Sequence, residues 1–250
     1  MTRLTAAFFL GTSLALSAPA IAFDISAMTD DEKAAFGEAV RDYLMENPQV
    51  LIESINVLEN RQAQDAAQTD LQLVEANRDA LFDDGHSWVG GNPDGDLTMV
   101  EFIDYRCGVC RQFNAEVHDA VEEDGNIRLI LKEFPILGEE SVLSSRFAIS
   151  VHQIAGDEAY KKANDALMAL RAPATDESLR GIAEEIGVDA DAIMAHMDTE
   201  AVNMVLQKNH ELGQTMAIQG TPTFVIGDQM LRGVPRAGVA QTIAQIRESM

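Results

Sequence analysis

Residues 97–113 read LTMVEFIDYRCGVCRQF and hold both cysteines of the 250-residue chain. The run 97–105 is rich in β-branched and aromatic side chains and predicts a strand. Beyond the CxxC, Phe113, Val117 and Val121 recur on one face and predict a helix over 111–122. A strand followed by a helix at a CxxC puts Cys107 at the helix N-terminus, where unpaired amides and the macrodipole favour the thiolate. Such a sulfur attacks a disulfide in another protein and forms a mixed disulfide. Cys110, one helical turn deeper, attacks that bond and releases the product, so the pair forms a reversible two-electron switch.

Other uses of two cysteines suit the chain less well. Closing so short a loop removes little entropy from the unfolded state, and exported proteins held together by staples carry several spaced cysteines. A tetrahedral metal site needs four ligands. The five histidines, His86, His118, His152, His196 and His210, show no ligand spacing. His118 shares a helix face with Cys110 but reads as a surface or core histidine. Met194 and Met197 around His196 read as core gap-fillers rather than a copper site. No metal ion and no cofactor is expected.

The chain opens MTRLTAAFFLGTSLALSAPAIA, with a cation at Arg3, an apolar run to about Ala18, and the small-x-small triplet Ala20, Ile21, Ala22. This is the pattern of a cleaved signal peptide over residues 1–22. The run is short of the roughly 18–20 apolar residues that span a bilayer, so export of a soluble chain is expected. Acidic residues number 41 against 18 basic, for a formal charge of −23. That surface repels phosphate backbones and anionic lipid, which excludes nucleic acid as a partner. With 46% hydrophobic residues the chain can bury a core without disulfides.

Glu101 interrupts an apolar strand six residues before Cys107. In a sheet covered on both faces it is buried with a raised pKa and can take the proton of Cys110; at a strand end it simply reaches water. Residues 218–233, IQGTPTFVIGDQMLRG, predict a hairpin: strands over 223–226 and 229–232 joined by a Gly227-Asp228 turn and preceded by Thr221-Pro222. Between residues 138 and 217 the pattern is helical, with a long helix carrying Val202, Val205, Leu206, Leu212 and Met216, and another start at Thr175.

Near the N-terminus, Thr29 and Glu32 form a capping box for a helix whose Phe36, Val40, Tyr43 and Leu44 share a face. Asn47-Pro48 ends it and opens a second helix with Leu51, Ile55 and Leu58 at coiled-coil spacing. This stripe packs either on copies of itself or back on the rest of the chain. Residues 59–70, ENRQAQDAAQTD, almost lack large apolar groups and read as a solvated helix or a flexible stalk.

Together these features resemble the DsbA-like thiol-disulfide oxidoreductases of the thioredoxin superfamily. VEFIDYRCGVC, LKEFPILGEESVLSSRFA and DYLMENPQVLIESI are most similar to the ScsC-like branch with an N-terminal oligomerisation segment. The resemblance implies an α/β thioredoxin fold over 86–250 with a helical insertion at about 138–217. An oligomerisation segment at 23–58 and a stalk or linker at 59–85 precede it. It also implies that Cys107 is the nucleophile, Cys110 the resolving cysteine and Glu101 the acid beneath them. Thr221 and Pro222 form a cis-proline loop that, with Gly108 and Val109 between the sulfurs, meets substrate. The strongly oxidising members carry a histidine where this chain has Gly108 and Val109, so its thiolate is held less strongly. The implied activity is a periplasmic protein disulfide isomerase acting on exported proteins with cysteines, kept reduced by a membrane thiol reductase and assembled as a homo-oligomer through 23–58. A dithiol oxidase is the alternative within the same chemistry, and a copper-binding or interaction protein the alternative outside it.

Overall fold

The computed structural model describes residues 27–249, so the signal peptide read at 1–22 lies outside the described residues. The chain divides into two units, one ending at Glu59 and one beginning at Asn60.

In the first unit, α1 (Asp30–Glu46) opens on the expected capping box. The Thr29 hydroxyl accepts from the Glu32 amide at 3.4 Å, and the Glu32 carboxylate accepts from the Thr29 amide at 2.8 Å. Asn47 closes it, and α2 (Gln49–Ala76) begins after Pro48. Phe36, Val40, Tyr43, Leu51, Ile52, Ile55 and Leu58 are all exposed. Burying a large apolar side chain is worth about 1.5–3 kcal/mol, so this face leaves a large driving force unused.

In the second unit, residues 60–69 continue α2 with exposed side chains, in keeping with their polar composition. From Asp70 onward the same helix is part of the packed unit: Val74 is buried, and Arg232 grips the Asp70 carboxylate with both terminal nitrogens. Leu81, in the short α3 (Arg78–Phe82), is also buried. A stretch that reads as a stalk thus supplies core through a few apolar side chains, too few to register as a periodic pattern.

Three strands and a crossover helix follow: β1 (Trp88–Gly91), β2 (Leu97–Ile103), α4 (Gly108–Asp124) and β3 (Ile127–Glu133). Five helices come next, α5 (Glu139–Ala155), α6 (Asp157–Ala169), α7 (Asp176–Ile186), α8 (Ala190–His196) and α9 (Glu200–Thr215). The hairpin β4 (Thr223–Ile226) and β5 (Gln229–Arg232) and then α10 (Val239–Ser249) complete the chain. The sheet order is β1-β3-β2-β4-β5, with β2 and β3 parallel and every other pair antiparallel. This is the thioredoxin-like fold with helices on both sheet faces.

Because strand side chains alternate, Leu97, Met99, Glu101 and Ile103 share one face of β2 and Val100 and Phe102 the other. The first face packs with Val117 and Val121 of α4, Ile243 and Ile246 of α10, and much of the insertion, including Phe147, Tyr160, Leu179 and Ile193. The second packs with Leu212 of α9, with Met216 at its C-cap, and with Val74 and Leu81. Met197 is buried in the first cluster and Met194 packs against it, as expected of gap-fillers. Gly227, at φ 62°, allows the two-residue hairpin turn.

Two boundaries differ from the sequence reading. The strand stops at Ile103 rather than 105, because the Asp104 carboxylate accepts from the Arg106 amide at 2.7 Å and turns the chain. The helix begins at Gly108 rather than 111, because Cys107 itself is the N-cap.

Candidate active site

The end of β2 delivers Cys107 to the start of α4. Its sulfur accepts from the Cys110 amide at 3.4 Å, the place a serine or aspartate oxygen takes in an ordinary N-cap. Lone pairs of that sulfur therefore face the positive end of a 17-residue helix. Both cysteines are buried, Cys107 at 7% exposure less completely than Cys110 at 1%. Burial pushes the Cys110 thiol well up against a hydrogen bond with the Asp104 backbone, and the nearby Glu101 and Cys107 add to the rise, so Cys110 is held as the protonated thiol.

The opposite wall is supplied by a segment more than a hundred residues away. Phe102 pairs with Thr223 in the β2–β4 ladder, so the chain entering β4 runs beside the chain leaving β2. Thr221 and Pro222 consequently face the sulfurs, and the Cys107 thiol donates to the Thr221 carbonyl at 3.1 Å. The Thr221-Pro222 peptide is cis, and the Pro222 carbonyl is held by the Gly233 amide at 2.9 Å. Gly108 and Val109 lie exposed between the sulfurs, Val109 at 42%.

Glu101 is 4% exposed, on the α4 side of the sheet, so of its two readings the buried one holds. Burial alone raises its pKa to about 8. A carboxyl of that kind exchanges a proton near neutral pH, beneath a thiol that must lose one to act.

Three features of the site are not apparent from sequence. Asp104 is buried and holds two loops together: besides Arg106, it accepts from the Ile136 and Leu137 amides at 2.8 and 3.1 Å and from the Ser141 hydroxyl at 2.8 Å. Glu133, at the end of β3, accepts from the hydroxyls of Tyr105 and Tyr160 at 2.7 and 2.6 Å, tying the CxxC approach to the helical insertion. Burial lifts its pKa to about 7, with those hydrogen bonds opposing. On the other face, Lys132 is fully buried and its ammonium is bound by Asp84. The only sequence signal for these groups is a charged side chain at the end of an apolar strand, as at 104, 132 and 133.

A sulfur at a helix N-cap, a more deeply buried partner three residues on, and a cis-proline loop whose Thr221 carbonyl meets the first sulfur define a thiol-disulfide oxidoreductase of the thioredoxin fold. Residues 98–243 match the DSBA-like thioredoxin domain, and the chain belongs to that family. Residues 32–65 match the family described as the copper resistance protein ScsC N-terminal domain. The chain is similar to a thioredoxin-like oxidoreductase from Silicibacter pomeroyi DSS-3, at 36% identity and TM-score 0.63 over 70% of this chain and 99% of that one. It is likewise similar to Proteus mirabilis ScsC in a transitional conformation, at 28% identity and TM-score 0.62 over 90% and 97%. Disulfide bond formation protein D of Bacillus subtilis is 23% identical over 57% of this chain and 68% of its own length. A match to the Na(+)/H(+) antiporter NhaA 1 of Salinispora arenicola, at 24% identity, covers 58% of this chain but only 22% of that protein.

Proposed function

We propose that this protein is an exported, self-associating thiol-disulfide exchanger of the periplasm that rearranges wrong disulfides in other exported proteins. The observation that carries the reading is the Cys107 sulfur, at the N-cap of α4 and 3.1 Å from the Thr221 carbonyl, with Cys110 buried over Glu101. The thiolate of Cys107 attacks one sulfur of a client disulfide; a Cys107-client bond forms and the other client sulfur leaves as thiolate. In isomerisation that thiolate attacks elsewhere in the client until a new client disulfide expels Cys107, with no net electron transfer. If rearrangement stalls, Cys110 passes its proton to Glu101 and attacks Cys107. The client leaves reduced, and the Cys107-Cys110 disulfide that remains requires an external thiol reductase. Thr221 and Pro222 present backbone to the client, while Gly108 and Val109 form the contact surface between the sulfurs.

Isomerisation is favoured over oxidation by two features. Gly108 and Val109 offer no donor side chain to hold the thiolate, so the pair is a weaker oxidant than a CxxC that contains histidine. The exposed stripe of Phe36, Val40, Tyr43, Leu51, Ile55 and Leu58 suits assembly of several copies, which sets more than one site around a captured client. The test is refolding of a ribonuclease with scrambled disulfides in a thiol buffer. Recovery of ribonuclease activity with catalytic amounts of the protein is the expected result; formation of disulfides without rearrangement would make it an oxidase. Cys110→Ala is expected to accumulate mixed disulfides with clients, whereas tight Cu(I) binding without any such adduct would make the sulfurs a metal carrier's.

A further inference from the structure

Arg106 and Arg111 bracket the CxxC and both reach residues 168–172, the end of α6 and the start of its connection to α7. Arg111 donates through Nε to the Met168 carbonyl at 2.9 Å and through Nη2 to that of Leu170. Arg106 donates through Nη1 to the Ala172 carbonyl at 3.3 Å. The connection is thereby fastened beside the N-terminus of α4, and Arg171, between two of the anchored carbonyls, is exposed. Carbonyls satisfy these donors without cancelling their charge. Arg106 has a carboxylate partner, Glu140 at 3.2 Å. Among the described residues, Arg111 and Arg171 take part in no ion pair. Burial, and then repulsion from Arg171 and Arg106, lowers the pKa of Arg111, in keeping with the shared anchoring of Arg106 and Arg111 on either side of Arg171. Such a concentration stands out in a chain with 41 acidic and 18 basic side chains.

We infer that Arg106, Arg111 and Arg171 form a recognition surface for client segments that carry aspartate or glutamate within a few residues of the cysteine under attack. The inference rests on the exchange reading above and adds the class of client. At long range the net charge of the protein repels an acidic segment. Screening limits that field to about 8 Å at physiological salt, so close to the site the exposed Arg171 and the partly exposed Arg106 and Arg111 weigh more than distant acidic groups, with Glu140 at the rim and the buried, hydrogen-bonded Asp104 opposing them. Val109, two residues from Cys107 and 42% exposed, provides apolar contact beside the charged rim.

The experiment uses the reduced full-length mature chain and three synthetic peptides. Each has one cysteine linked to the same aromatic thiol, and they differ only in carrying Asp, Asn or Lys at the two flanking positions. Attack by Cys107 on the peptide sulfur forms the Cys107-peptide bond and releases the aromatic thiolate, whose absorbance is followed. Each rate is divided by that of 2-mercaptoethanol with the same peptide, which removes intrinsic reactivity. The Asp peptide is expected to react about tenfold faster than the Lys peptide at physiological salt, where the net charge is screened, the scale of two or three exposed ion pairs. The ratio collapses toward one at high salt. Arg171→Glu, at an exposed position, is expected to bring the two rates together or reverse their order. Equal rates, a faster Lys peptide, or a ratio unchanged in Arg171→Glu would overturn the inference. Failure of every peptide to react would instead overturn the exchange reading itself.

Discussion

Replacing Glu101 with glutamine removes an ionisable group from beneath Cys110 at almost no change of shape. In the folded chain burial raises this carboxyl from an ordinary 4.5 to about 8. Between those two pH values the unfolded chain has released a proton that the folded chain keeps, so stability falls as pH rises, by about 1.4 kcal/mol per pH unit. At pH 7, about 2.5 pH units above the unfolded pKa, the native carboxyl has cost the fold about 3 kcal/mol. Glutamine carries no such proton. Glu101→Gln is therefore expected to match the wild type near pH 4.5 and to exceed it by about 3 kcal/mol at pH 7, or about 6–12 °C in Tm for a unit of this size. The gain levels off above pH 8, where both states of the wild type are ionised. Urea unfolding of both proteins with thiols kept reduced, at half-unit steps from pH 4.5 to 8.5, reads this directly. Curves that stay parallel across the range would refute the buried-acid argument. The same substitution removes the acceptor for the Cys110 proton and is expected to slow release of a mixed disulfide by about 10²-fold, the scale of general-base catalysis.

Three further outcomes follow from other buried groups and from the exposed stripe. Asp104→Ala leaves three amides and the Ser141 hydroxyl without their acceptor, and a loss of about 3 kcal/mol or more in urea unfolding is expected. Asp84→Ala strands the fully buried Lys132 ammonium and is expected to cost about 3–5 kcal/mol, most of which Asp84→Ala with Lys132→Met recovers. Burial acts to raise the Asp84 pKa, but the charge and hydrogen bond of Lys132 outweigh it and hold the carboxyl well below its ordinary 3.8. Its contribution is therefore present above pH 3.8 and is lost as acid titrates it below that, which an acid-unfolding curve of wild type against the double variant measures. Leu51→Ser with Ile55→Ser is expected to lower the mass in sedimentation to that of one chain with helix content retained; a wild type already monomeric would remove the self-association proposal.

Much of the architecture could be read locally. The capping box at Thr29 and Glu32, the hairpin over 223–232 and the start of α7 at Thr175 depend on neighbouring residues alone, and each lies where its turn or cap chemistry puts it. The redox pair was equally plain, because a helix N-cap and a resolving sulfur lie three residues apart. β1 was not legible: it is four residues long and becomes a strand by pairing with β3 at the sheet edge. Nor was the packing of residues 70–82, where single apolar side chains meet a surface that exists only after the sheet has formed.

The order of residues alone determined that a nucleophilic sulfur begins a helix and that its partner follows within one turn, since short-range backbone hydrogen bonding decides both. Tertiary structure alone decided what surrounds them. It brings the Thr221 carbonyl to 3.1 Å from Cys107, sets the Glu101 carboxyl near Cys110 and ties the Met168 carbonyl to Arg111. Those relations join residues that are distant in the chain or that lie on different elements. They arise from strand pairing and from the exclusion of water, neither of which a local run of residues contains.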